Sequence, residues 1–197
     1  METKLSSEYW QNRYLNAQTG WDLGAVSPPL KAYASQLSSQ KLKILIPGAG
    51  NAYEAEYLHQ QGFTEVYVAD FAEAPLLTLK QRLPDFPAAH LLYQNFFEIQ
   101  DTFDLILEQT FFCALNPELR PAYAKKCAEL LKPGGKLVGL LFDTTFEKPG
   151  PPFGGSAAEY RAYFEPYFHF RTFAPAYNSV KPRAGHELFM ILERKAI

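Results

Sequence analysis

The chain has 197 residues, the size of one domain, and 47% are apolar, enough for a core that needs neither disulfide nor metal. A net charge of −2 excludes the clustered basic footprint of a nucleic-acid binder and does not favour an anionic membrane surface. Two cysteines do not make a disulfide framework, residues 1–8 lack a signal-peptide run, and no stretch reaches the roughly 18 apolar residues of a span.

The expectation is therefore a soluble, cytoplasmic, single-domain chain over 1–197, a monomer acting on a small molecule. No nucleic acid, membrane or metal ion is expected as a partner.

Residues 41–47 (KLKILIP) form a short apolar run that ends in a glycine-rich turn, the pattern of a buried strand. Residues 51–61 follow with helical spacing, and Gly62 ends them. Residues 65–70 read as a second strand, 73–83 as a second helix with Pro75 in its first turn, and 89–96 as a third strand. Residues 103–108 (FDLILE) are apolar enough for a strand buried on both faces.

Residues 117–132 read as a helix. Leu119, Tyr123, Cys127, Leu130 and Leu131 recur along one face, and Pro133-Gly134-Gly135 stops it. A fifth strand is expected at 136–142, a helix at 157–168 after the proline-rich loop 148–155, and a hairpin from 170–176 and 187–193. This alternation implies an α/β fold: a doubly wound, Rossmann-like, seven-stranded, mostly parallel sheet with helices on both faces and an antiparallel C-terminal hairpin strand. Such sheets bind ligands at the carboxyl ends of their strands, near the reversal of strand order.

The first such end carries Pro47-Gly48-Ala49-Gly50-Asn51. Glycine there lets a ligand approach the backbone, although a plain tight turn gives the same pattern. Asp70 ends the second strand, 22 residues after Gly48, where a carboxylate can accept both ribose hydroxyls or cap the following helix. A dinucleotide site wants a third glycine at position 53, and Tyr53 stands there. That disfavours an NAD(P)-dependent oxidoreductase. S-adenosyl-L-methionine has no phosphate and does not need the opening.

Leu131-Lys132-Pro133-Gly134-Gly135-Lys136-Leu137 is similar to the loop before the fifth strand of class I S-adenosylmethionine methyltransferases, and Phe103-Asp104-Leu105-Ile106 resembles their fourth strand. Phe111-Phe112-Cys113-Ala114-Leu115-Asn116-Pro117-Glu118-Leu119-Arg120-Pro121-Ala122-Tyr123 resembles the thiopurine methyltransferase superfamily, its thiol and halide methyltransferase branch in particular. Trp10, Arg13-Tyr14, Gly20-Trp21-Asp22 and Pro149-Gly150-Pro151-Pro152-Phe153 are similar to the same superfamily, so the resemblance runs roughly over 9–153.

The resemblance implies a lid within residues 1–35 that carries Trp10, Tyr14 and Trp21 over the cofactor. Gly48, Ala49 and Gly50 lie against the cofactor, Asp70 and Phe71 hold the nucleoside, Asn95 and Phe96 flank the adenine, and Gln109 faces the methionine end. Loops 144–168 and 177–186 face the acceptor. The chain departs from the superfamily at Gln109, where members often have Arg, and at Tyr14, where they often have Trp.

The implied chemistry is in-line methyl transfer to a small soft nucleophile: a thiol, a halide or a thiopurine-like compound. A soft anion needs no base at the moment of attack, and the sequence carries no Ser/His/Asp or paired-carboxylate constellation. Aromatic faces at Trp10, Tyr14 and Trp21 attract a sulfonium by about 0.5–2 kcal/mol each, unless they are a helix stripe packed on the core. Arg183 matches a basic position of the superfamily's late loop, where it attracts an anionic acceptor or is simply a solvated charge; Asp143 and Arg161 are weaker candidates of the same kind. Cys113 sits in an apolar run without a neighbouring His and is a poor nucleophile. A non-catalytic S-adenosylmethionine-binding domain is a further alternative.

Overall fold

The computed structural model describes residues 5–196. Seven strands form one sheet: β1 (Ile44–Pro47), β2 (Val66–Asp70), β3 (Leu91–Tyr93), β4 (Phe103–Gln109), β5 (Leu131–Phe142), β6 (Phe168–Pro175) and β7 (Glu187–Arg194). Their spatial order is β3-β2-β1-β4-β5-β7-β6. β1 pairs in parallel with β2, Ile44 opposite Val66, and with β4, Ile44 opposite Leu105. Only β7 runs the other way, antiparallel to both β5 and β6. The sheet is thus the expected mostly parallel one, with the hairpin strand inserted beside β5.

The chain winds outward from β1 through β2 to β3, then returns to place β4 on the other side of β1. The crevice at the carboxyl ends of β1 and β4 is therefore the point where strand order reverses, the usual ligand position of such sheets.

Side chains alternate across the sheet with period two. Ile44, Ile46, Val66, Val68, Leu105 and Leu107 pack on one face against α2 (Pro28–Ala34), α3 (Tyr53–Gln60) and α4 (Glu73–Arg82), through Leu30, Leu58 and Leu79 among others. Leu45, Ile106, Leu137, Leu141, Met190 and Leu192 pack on the other face against α5 (Arg120–Leu130) and α6 (Ala157–Phe164). The N-terminal helix α1 (Ser7–Leu15), capped by the Ser6 hydroxyl, buries none of its residues completely.

Several elements differ from their sequence-based bounds. The third strand shrinks to Leu91–Tyr93 between two short 3-10 turns, because it is the sheet edge and has one partner. The long helix expected over 117–132 starts only at Arg120, with Pro121 in its first turn, and Leu119 is 42% exposed in a separate 3-10 turn. It ends at Leu130, and Leu131 already pairs with Phe103 as strand. Pro133-Gly134-Gly135 therefore makes a bulge within β5 instead of stopping a helix, with Gly134 at φ +76. The helix expected to reach 168 ends at Phe164, and β6 begins at Phe168.

Among the described residues, no helix is long and apolar enough to cross a membrane, and no group of three or more His, Cys, Asp or Glu side chains is placed to hold a metal.

Candidate cofactor and acceptor site

After β1 the backbone turns sharply. Gly48 (φ +54) and Gly50 (φ +53) take left-handed conformations, and so does Ala52 (φ +54) directly before α3. The two glycines are required by close neighbours as well as by φ. A Cβ at Gly48 would collide with the Phe111 ring, and one at Gly50 would meet the Tyr14 hydroxyl at 2.9 Å. The turn is glycine-rich because two aromatic side chains of the chain itself close on it, one from above and one from across β4.

Asp70 ends β2 and is buried. Its Oδ2 accepts from the Gly50 N–H at 3.3 Å, and its Oδ1 from the Ala72 N–H at 2.8 Å. Burial pushes its carboxyl up to about 6, against the pull of these backbone donors. The Ala74 N–H in the first turn of α4 has another partner, since the Gln11 side chain of α1 accepts from it at 2.9 Å. Asp70 therefore caps the chain ahead of α4 while its carboxylate borders the cleft. Tyr53 lies at the third-glycine position, its ring 4.8 Å from the Arg82 guanidinium and its hydroxyl 3.4 Å from Asp22.

Trp10, Tyr14 and Trp21 of the N-terminal segment line the cleft and belong to neither core cluster. Trp21 stands edge-on to Trp10 at 5.6 Å and to Tyr14 at 5.8 Å. Burial and the Asp70 charge push the Tyr14 hydroxyl well above its ordinary range. Polar bonds fasten the segment down: Ser7 Oγ donates to the Phe71 carbonyl, Asn51 Nδ2 donates to Asp22, and Arg183 Nη2 donates to the Trp21 carbonyl at 2.6 Å.

These parts enclose one cleft of about 870 Å³. Trp10, Tyr14, Trp21, Gly48, Ala49, Gly50, Asp70, Phe71, Asn95, Phe96, Gln109 and Arg183 all line it, so these twelve site candidates are brought to one place. Gln109 is the last residue of β4, and its Oε1 is buried with no hydrogen-bond partner. Asn95 Oδ1 is engaged in capping the Phe97 N–H at 3.0 Å. The Phe96 ring is buried among Phe97, Phe111 and Tyr123 and meets the cleft only in part.

The other end of the cleft is walled by Cys113, Leu115, Phe142, Phe146, Pro151 and Pro152. Its cation is Arg183, which is no solvated loop charge. It is buried, Nη1 lies 3.4 Å from Glu187 Oε1, and its guanidinium is 5.6 Å from the Phe142 ring centre. Burial, with the neighbouring Glu108 charge, pushes the Cys113 thiol up to about 12, so it stays protonated and is no nucleophile. Asp143 and Arg161 do not line the cleft. Asp143 accepts from the Ala157 N–H at the start of α6, and Arg161 packs over Phe170 at 4.4 Å.

Two residues escaped the sequence reading. Arg120 is 1% exposed and donates through Nη2 to the Phe153 and Gly154 carbonyls at 3.1 and 3.0 Å, and through Nη1 to Glu159. It pins the proline-rich loop to α5 from more than thirty residues away. Glu108 is wholly buried under the Phe111 turn, accepts from three donors, and is pushed up by burial to about 7. A carboxylate that closes the apolar run FDLIL was its one local signal.

The model of the thiopurine S-methyltransferase (TPMT) family matches residues 5–193. Probable thiol methyltransferase 2 of Arabidopsis thaliana is 31% identical over 188 residues, 92% of this chain and 83% of that protein. A thiopurine S-methyltransferase of Vibrio cholerae is 29% identical over 176 residues, 80% of each chain. Among solved structures, the 1,6-didemethyltoxoflavin-N1-methyltransferase of Burkholderia thailandensis, with bound 1,6-didemethyltoxoflavin and S-adenosylhomocysteine, has a TM-score of 0.76. It is 20% identical and covers 97% of this chain and 88% of its own, a likeness of fold. With nearly its whole length matched, the chain belongs to the thiopurine S-methyltransferase family and is an S-adenosyl-L-methionine-dependent methyltransferase.

Proposed function

We propose that the chain methylates a small soft nucleophile, a thiol first, with halides and thiopurine-like compounds in the same class. One observation carries this reading: the acceptor end of the cleft is apolar, with one buried cation and no paired base. Of the carboxylates that line the cleft, Asp22 is bonded to Asn51, Glu54 to the Ser27 N–H at 3.0 Å, and Asp70 sits at the cofactor turn, where it accepts from Gly50 and Ala72. A thiolate or halide needs no proton removed during attack. It needs desolvation and alignment, which apolar walls and Arg183 supply.

The residues fit the cofactor. The unpartnered Oε1 of Gln109 offers an acceptor for an ammonium group, and the Asp70 carboxylate offers one for a ribose diol. Gly48, Ala49 and Gly50 would hold it by backbone, Phe71, Asn95 and Phe96 would surround its base, and Trp10, Tyr14 and Trp21 would roof the sulfur. Bound there, the cofactor supplies an electrophilic methyl group on a sulfonium. The chain's own part is to exclude water beneath the roof and to bring the acceptor in line against that methyl. Residues 1–35 form the roof segment, and loops 144–168 and 177–186 form the acceptor side.

Two further parts of the reading concern setting. Cys113 and Cys127 are buried free thiols, which suits a reducing cytoplasm. The cleft is assembled from one chain, so the monomer is taken as the working unit, with a small molecule as its partner.

The test is incubation with S-adenosylmethionine and a panel of hydrosulfide, alkyl and aryl thiols, iodide and a thiopurine, with a phenol and an amine for contrast. Release of S-adenosylhomocysteine should be fastest with a thiol. Turnover confined to the phenol or the amine would refute the acceptor class.

A further inference from the structure

We propose that Glu108, which does not line the cleft, is a positioning residue for methyl transfer, because its carboxylate fixes the strained turn from which Phe111 and Cys113 reach the cleft. The inference rests on the acceptor placement given above.

The strain lies at Thr110. Directly after β4 this residue adopts φ +56, a left-handed conformation that a β-branched side chain rarely takes. Such a conformation persists only where the surroundings over-determine it. Glu108 provides that constraint. Its Oε1 accepts from the Phe111 and Phe112 N–H groups at 2.8 and 2.9 Å, bracing the residues that follow Thr110. Its Oε2 accepts from the Tyr123 hydroxyl of α5 at 2.6 Å, which ties the same carboxylate to the helix behind the sheet.

Space for this arrangement comes from the neighbouring strand. A Cβ at Gly139 of β5 would collide with the Glu108 side chain, so glycine there leaves the carboxylate its room. The consequence reaches the surface of the cleft. Phe111 fills the hollow over Gly48 and stands edge-on to Phe96 at 5.4 Å, while Cys113 lines the acceptor wall. The Cys113 carbonyl accepts from the Phe153 N–H at 2.7 Å, which carries the register into the proline-rich loop. A single buried carboxylate thus sets the spacing between the cofactor turn and the acceptor wall. A displacement of about 1 Å across an in-line transfer costs on the order of a hundredfold in rate.

The experiment measures kcat and KM for whichever panel acceptor the wild-type chain methylates best, and the Kd for S-adenosylhomocysteine by calorimetry. It compares Glu108→Ala, Glu108→Gln and Glu108→Asp. Glu108→Ala should lower kcat/KM by about a hundredfold, chiefly through kcat, with the Kd within about threefold of wild type. Glu108→Gln keeps a carbonyl oxygen for both N–H groups and should stay within about threefold. Should the alanine variant not fold, Glu108→Asp replaces it. Its shorter side chain should lose about tenfold.

Wild-type kcat/KM in a folded alanine or aspartate variant would overturn the proposal. So would an equal loss in cofactor affinity, or a glutamine variant as impaired as alanine. Should the best acceptor be a non-thiol, the acceptor reading fails and the Glu108 comparison still runs with that acceptor.

Discussion

The two ends of the cleft are held in place by different means. The cofactor end is built from backbone at the ends of adjacent parallel strands, β1 and β2, with Asp70 bridging the two turns. The acceptor end is built from loops that meet only in three dimensions, and buried side chains hold them: Arg120 to residues 153–154, Arg183 to Trp21 and Glu187, and Glu108 to Phe111 and Phe112. A strand-end site inherits its geometry from the sheet. A loop site needs internal charges, and each buried charge must be paired to be tolerated. The first end should therefore respond to local changes, and the second to removal of a single distant anchor.

The largest effect is expected from Arg120→Ala. Its loss leaves two carbonyls beneath the proline-rich loop without their donor, while the partly exposed Glu159 keeps the Tyr163 hydroxyl, which should cost about 2–4 kcal/mol of stability in urea unfolding. In the protein that stays folded, acceptor kcat/KM should collapse while S-adenosylhomocysteine affinity holds. Equal losses at both ends would erase the distinction. Asp70→Ala should do the reverse, weakening S-adenosylhomocysteine binding at least about tenfold in calorimetry with little change in acceptor KM. Unchanged affinity would remove Asp70 from the ribose site.

A smaller effect comes with pH. Folding raises the Asp70 carboxyl to about 6, so the folded chain holds that proton more tightly than the unfolded one. Asp70's contribution to stability is therefore fully present below its unfolded value and is lost as pH rises through about 6. Cofactor binding should have the opposite sign, because under the proposed function the ionised carboxylate accepts from the ribose. Affinity for S-adenosylhomocysteine should fall by up to about tenfold per unit as pH drops below the Asp70 range, and Asp70→Asn should flatten the profile. The smallest effect is expected from Arg183→Lys. Lysine keeps the charge but loses the fork, so acceptor KM should rise by about threefold to tenfold. A wild-type KM would mean that charge alone is enough there.

The same contrast explains what the sequence made legible. Gly48, Gly50 and Asp70 lie at predictable offsets in a strand–turn–helix–strand unit, so their convergence could be read from spacing. Gln109 lies one residue beyond the strand read over 103–108 and is named through the family resemblance. Arg120 is an ordinary charge in sequence and Arg183 is named through the resemblance alone; the importance of each comes from partners 33 and 162 residues away. The boundary at Leu131 was misread because Leu130 and Leu131 both continue the apolar face of α5, while Leu131 already begins β5, and periodicity cannot divide two adjacent apolar residues. The edge strand β3 was overlong in the reading because a single neighbouring strand supports fewer ladder bonds than the apolar pattern implied.

The Arg183 hydrogen bond to the Trp21 carbonyl has a thermodynamic consequence for the two ends. Under the proposed function, one guanidinium belongs to the acceptor wall and also holds the roof of the cofactor. An acceptor that draws on that guanidinium alters how firmly the roof is held, so the two ligands share a coupling free energy. By reciprocity, whatever factor the acceptor imposes on cofactor affinity, the cofactor imposes equally on the acceptor.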